Sequence, residues 1–152
     1  MYTTADYLIN RSTTPSSGNG LALYNAALRR GWLRQIGAAL IGRNRALRHL
    51  PQTTTTTQRR ARVHTSGVRE IAVRDIIGSE DRSGDFDIDF NPLRESLRDR
   101  WLSVFNARLR GVSLPPIELV RGPDGYYVRD GHHRLSVARA LGQTDVEAVV
   151  TA

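Results

Sequence analysis

Tyr126-Tyr-Val-Arg-Asp-Gly-His-His-Arg-Leu-Ser-Val-Ala-Arg-Ala-Leu-Gly142 is the stretch that decides the fold. Its opening residues are aromatic and β-branched, which suits a strand. From His132 onward, Leu135, Ala138 and Leu141 recur at helical spacing, and Gly142 supplies the stop. Asp130 and Gly131 lie between, so the segment reads as strand, tight turn, helix. A helix that opens at such a turn presents unpaired N–H groups and the positive end of its dipole. An anion placed there gains hydrogen bonds and a favourable field. Gly131 admits a positive φ and a close backbone approach. Arg134 offers a planar two-pronged donor to phosphate oxygens. His132 and His133 donate from ring nitrogens, more strongly when protonated. Asp130 suits a helix cap, or a ligand to a magnesium ion beside a bound phosphate. The competing reading is purely architectural: Asp130 caps, Gly131 turns the chain, and the two histidines and Arg134 are surface residues.

Working outward, Pro115-Pro116 introduce a strand at Ile117 to Val120. The turn Gly122-Pro-Asp-Gly125 makes Tyr126 to Arg129 its hairpin partner. Val146 to Val150 is a further strand. Upstream, Val68 to Val73 reads as a short strand and Gly78 to Asp85 as a polar, acidic loop. Asn91 is a good N-cap with Pro92 at the first helical position, followed by Leu93, Leu97, Trp101, Val104 and Phe105 on one face as far as Gly111. The order strand, helix, hairpin, helix, strand predicts a small α+β domain over residues 67–152.

The preceding sequence has a different character. Residues 1–18 read as a disordered tail, and 51–66, with threonine at every position from Thr53 to Thr57, as a linker. Between them, residues 19–50 form a basic amphipathic helical segment. Its expected apolar face is Leu21, Tyr24, Leu28, Trp32, Ile36 and Leu40, in one helix or two shorter ones. Residues 1–62 hold ten arginines and one acid, Asp6, whereas residues 63–152 hold twelve arginines and fourteen acids, so the net charge of +7 belongs to the first segment. Several readings fit it: contact with DNA or RNA phosphates, an anionic membrane surface, or an apolar face docked on the domain or on a second copy in a homodimer. No apolar run approaches the length of a membrane span, so no transmembrane segment is expected. Cysteine is absent, which removes thiol nucleophiles, disulfides and thiolate metal sites, and suits a cytoplasmic protein.

Around the Asp130-Gly-His-His-Arg134 turn the chain resembles the ParB/sulfiredoxin-like superfamily. The resemblance runs from about Val68 to Val150. It includes Ile71-Ala-Val with the following Ile76-Ile-Gly-Ser79, the Leu114-Pro-Pro-Ile117 lead-in, and the turn with its helix closing in Leu141-Gly142. It implies a small mixed sheet with packed helices and a nucleotide, ATP or CTP with Mg2+, whose phosphates sit on Gly131, His132, His133 and Arg134. Sulfiredoxins carry a catalytic cysteine in this turn, where His132 stands here, so their chemistry is not expected. ParB proteins read DNA through a domain that follows, and with the sequence ending at Ala152 their clamp action is not expected either. Small-molecule kinases of the superfamily need a carboxylate to deprotonate the acceptor, for which Glu80 and Asp81 are the candidates. A nucleotide-binding regulatory or DNA-associated module is the first expectation, and a kinase or phosphohydrolase the second. DNA binding through the basic segment is the third.

Asp85-Phe-Asp-Ile-Asp89 resembles the start of a calcium loop, but Phe90 and Ser96 stand where that loop needs glycine and glutamate. An extended stretch with its acids in solvent is expected there. Adjacent His132 and His133 point apart and do not make a zinc pair.

Overall fold

The computed structural model describes residues 17–43, 47–50 and 67–151. The disordered tail and threonine linker expected from the sequence lie almost wholly outside them. Six strands form one mixed sheet: β1 (Arg48–His49), β2 (Arg69–Ala72), β3 (Ile76–Ser79), β4 (Ile117–Arg121), β5 (Tyr126–Asp130) and β6 (Asp145–Thr151), in the order β1-β3-β5-β4-β6-β2. The β4–β5 hairpin is the antiparallel centre. Parallel partners flank it: β3 beside β5, β6 beside β4, and β1 beside β3. β2 closes the other edge, antiparallel to β6. Among the described residues three helices complete the fold: α1 (Ser17–Leu40), α2 (Arg98–Leu109) and α3 (His132–Ala140).

Strand side chains alternate between the two sheet faces. Ile117, Leu119, Val128, Val146, Ala148 and Val150 meet Leu135 and Ala138 of α3 on one face. Val120 and Tyr127 turn to the other face, where Leu50 covers them. Helix α3 is therefore a middle layer. Its opposite side contributes Val137 to a second cluster with Tyr24 of α1 and Trp101 and Phe105 of α2. The Trp101 indole N–H donates to Ser136 Oγ at 2.9 Å, a buried bond between α2 and α3. Tyr24 meets Trp101 edge-on at 5.5 Å between ring centroids, and its hydroxyl donates to the Arg94 carbonyl at 2.7 Å.

Several local expectations are corrected. The basic segment is helical only to Leu40, and Arg48–His49 extends the sheet. The docked side of α1 is the small-residue side, Gly20, Ala27, Gly31 and Ala38 together with Tyr24. A Cβ at Gly20 would lie 2.7 Å from the Phe105 ring, so only glycine lets the helices approach this closely. Of the large residues expected to dock, Tyr24 is buried and Leu28 packs partly beside it, whereas Leu21, Ile36, Trp32 and Leu40 are turned outward, Trp32 at 60% and Leu40 at 83% exposure. Gly78 and Ser79 belong to β3 rather than to a loop.

Asn91 and Pro92 do not start a helix. The 3-10 turn Glu95–Leu97 leads into α2, and Pro92 instead pairs with Phe86 in an isolated bridge. The cause is Asp87, which is fully buried rather than solvated. Its carboxylate accepts the backbone N–H groups of Asp89 (2.9 Å) and Asn91 (2.8 Å) and the Asn91 side-chain amide. These bonds close residues 87–91 into a turn, with Phe90 at φ 57°, and so consume the capping potential of Asn91. Asp85 and Asp89 are also engaged, Asp85 with Arg82 and Arg94, and Asp89 with Arg34 and Arg139.

Tyr24→Ala removes a fully buried aromatic ring from the α1–α2 seam. We expect a loss of about 3 kcal/mol in urea unfolding, the usual scale for truncating a buried aromatic residue. A change below about 0.5 kcal/mol would show that α1 is not part of the cooperative unit.

Candidate functional site

Strand β5 delivers the chain to Asp130, and α3 begins two residues later. Gly131 is the N-cap, at φ 100° and ψ 20°. Any side chain there is strained twice, by the left-handed backbone and by a Cβ 2.5 Å from Ile117 Cγ2. The Gly131 carbonyl accepts the Leu135 N–H at 2.9 Å, the first bond of the helix. The preceding N–H groups, of His132, His133 and Arg134, have no intrahelical acceptor. Glycine has no side chain with which to cap them, and no other side chain among the described residues accepts from them.

The Asp130 carboxylate does not cap because it is held by the Arg134 guanidinium one helical turn away. Arg134 also donates to the carbonyls of Pro115 and Pro116, the latter at 2.8 Å. Arg134 thus ties the start of α3 to the Pro-Pro lead-in of β4. Its fork serves the turn's own architecture in the described arrangement.

Both histidines are buried rather than surface-exposed. His132 Nε2 lies 2.7 Å from Ser79 Oγ. That oxygen already accepts the N–H groups of Arg82 (2.9 Å) and Asp81 (3.3 Å), so its own proton is directed at an unprotonated Nε2. Burial pushes the His132 pKa down to about 4, with the charge of Arg82 adding to the effect. His133 is pushed to the same value, chiefly by burial and then by Arg100 and Arg82. Phe86 stacks on the His132 ring and meets the His133 ring edge-on. His133 Nδ1 is buried without a hydrogen-bond partner among the described residues. Neutral rings bring polarity to this site, and the positive charge comes from Arg82 and Arg100.

Glu80 and Asp81 follow Ser79 on the loop after β3. The Glu80 carboxylate accepts from Arg129 Nε at 2.8 Å and is mostly buried, whereas Asp81 is exposed. Among the described residues, no group of three or more His, Asp or Glu side chains gathers as metal ligands. Sequence reasoning missed Ser79, Arg82, Phe86 and Arg100 as neighbours of the turn. Ser79 had a local signal, since it ends the apolar run Ile76-Ile-Gly. Arg100 had none.

The buried histidines predict an acid-sensitive fold. Their folded pKa values lie below the ordinary 6.5. The unfolded chain therefore binds more protons between these limits, and stability falls as pH drops from about 6.5 towards 4. The effect is on the order of 2–3 kcal/mol per ring. Urea midpoints measured across this range should decline, and His133→Phe should remove about half of the decline. A flat profile would place the rings in water.

No protein-family model matches the chain, and no curated protein matches it. Among solved structures, the chain is similar to the crystal structure of sulfiredoxin from Arabidopsis thaliana, at 16% identity and a TM-score of 0.41. The match covers 56% of this chain and 84% of that one. The six-stranded mixed sheet with its packed helices is by its own topology a small α+β fold. No helix among the described residues is long and apolar enough to cross a membrane.

Proposed function

We propose that the protein binds the phosphate groups of a nucleotide, ATP or CTP, at the N-terminus of α3, as a ParB-like regulatory or DNA-associated module. One observation carries this reading: the helix opens behind a left-handed glycine, and no side chain among the described residues caps its first N–H groups. In a helix start this well packed, a capping side chain is the usual solution, and an anion is the other. The Nδ1 of buried His133, unpartnered among the described residues, supports it, as do the charges of Arg82, acting on both rings, and of Arg100, acting on His133. Arg134 and Asp130 shape the turn in this reading, because each already holds the other. Asp130 is a poor magnesium ligand while so engaged, and magnesium enters only as the ion that accompanies the nucleotide.

Thermal denaturation with ATP, CTP and magnesium tests the reading, since a ligand of the folded state alone must raise its apparent stability. Arg100 is exposed and makes no ion pair among the described residues, so Arg100→Ala should leave the free protein's stability intact. It should weaken nucleotide binding at least tenfold, the scale of one charge-assisted phosphate contact. Arg134→Ala should lose binding too, together with about 1–3 kcal/mol of stability, because Pro115, Pro116 and Asp130 lose their donor. No nucleotide-dependent shift at millimolar concentration would sink the proposal. Turnover measured with and without hydroxyl acceptors separates a binding module from a kinase. In the kinase case Asp81→Asn is the informative variant, since Glu80 is committed to Arg129.

A further inference from the structure

At the other end of α3, about 13 Å from the turn for nine residues of helix, lies a cleft of about 740 Å³. Its volume is that of a small-molecule site. None of its lining residues belongs to the Asp130–Arg134 turn. Arginines enter it from three elements: Arg30 and Arg34 from α1, Arg74 from the 3-10 turn after β2, and Arg139 from α3. Among the described residues only two carboxylates line it, Asp89 and Asp145.

The arginines are not equivalent. Arg139 is fixed: it donates to the carbonyls of Val73 (2.8 Å) and Ile76 (3.3 Å), lies 3.7 Å from Asp89, and sits over the Phe90 ring. Arg34 pairs with Asp89 at 2.6 Å. Arg74 is 88% exposed, its nearest acid being Asp75 at 3.7 Å, and Arg30 makes no ion pair among the described residues. Two of the lining residues each hold a buried polar atom without a partner among the described residues, Arg139 Nε and Gln143 Oε1. One is a donor that an anion would satisfy, and the other an acceptor that a hydroxyl group would satisfy. Orphaned buried polar atoms of both kinds in one cationic cleft are costly unless something fills them.

We propose that this cleft is a second binding site, for a soluble phosphomonoester that also bears a hydroxyl group. The phosphate lies between Arg30, Arg74 and Arg139, and the hydroxyl donates to Gln143. The site is independent of the nucleotide proposal, because it shares no residue with the turn. Asp89, which braces Arg34 and Arg139, keeps the guanidinium groups in place when no ligand is bound.

Glycerol phosphate and inorganic phosphate, titrated into the full chain and followed by calorimetry and by 1H–15N NMR, test this. Glycerol phosphate should bind roughly tenfold tighter than inorganic phosphate and shift the Gln143 side-chain amide and the Arg139 Nε–H signals. The exposed double variant Arg30→Ala/Arg74→Ala should fold normally and lose that binding at least tenfold, while Arg100→Ala retains it. The proposal is overturned by the absence of binding at about 10 mM, by signal changes confined to His132–Arg134, or by equal affinity in the double variant.

Discussion

The burial of α3 on both sides is the constraint on which the rest of the structure depends. A nine-residue helix is too short to persist alone in water. It stands because Leu135 and Ala138 seal one side against the sheet while Val137 and Ser136 are held by α1 and α2 on the other. Sandwiched in this way, α3 cannot slide or fray at its start without opening both layers. Its first turn is thus presented at a fixed place, behind a glycine whose hydrogen atom is all that fits against Ile117. A rigid, uncapped helix start is a consequence of packing, and the anion proposal rests on that packing more than on any side chain in the turn.

The same burial settles the electrical character of the turn. His132 and His133 are the first two residues of α3, and a middle-layer helix has no solvent face to give them. Removed from water, both rings favour the neutral form. Ser79 then becomes the natural partner of His132, its hydroxyl proton freed for the ring by two backbone donors on its oxygen. Charge is supplied from elements distant in sequence, the loop after β3 and helix α2. The helix consequently separates two kinds of surface. Its N-terminal end combines amide donors with neutral rings, and its C-terminal end borders a cleft crowded with guanidinium groups.

How much was legible varies by residue. The strand-turn-helix from Tyr126 to Gly142 was readable because its signals are local: β-branched and aromatic residues, a glycine, then helical spacing. The β4–β5 hairpin and β6 were readable for the same reason. The start of α2 was misread because Asn91, which as a cap would accept N–H groups through its side-chain oxygen, instead donates its backbone N–H and side-chain amide to a buried Asp87, and sequence spacing cannot rank the two roles. The face of α1 was misread because large residues usually dock. Here Phe105 comes so close that only Gly20 fits against it, the 91–93 segment crowds Gly31 in the same way, and Tyr24 is the one large residue of α1 that is fully buried in the seam.

The sequence by itself determined the order of most strands and helices and the glycine turn. It also determined the absence of thiol chemistry and the uneven spread of arginine. These follow from chemistry carried within a few neighbouring residues. Only the tertiary structure decided that both histidines are buried and neutral, that Arg134 is spent on Asp130 and the proline carbonyls, that Ser79 meets His132, and that the charges of Arg82 and Arg100 act on the rings. It alone brought Arg30, Arg74 and Arg139 to one cleft. Burial and charge proximity are properties of what other parts of the chain place nearby, and long-range packing, rather than local spacing, sets them.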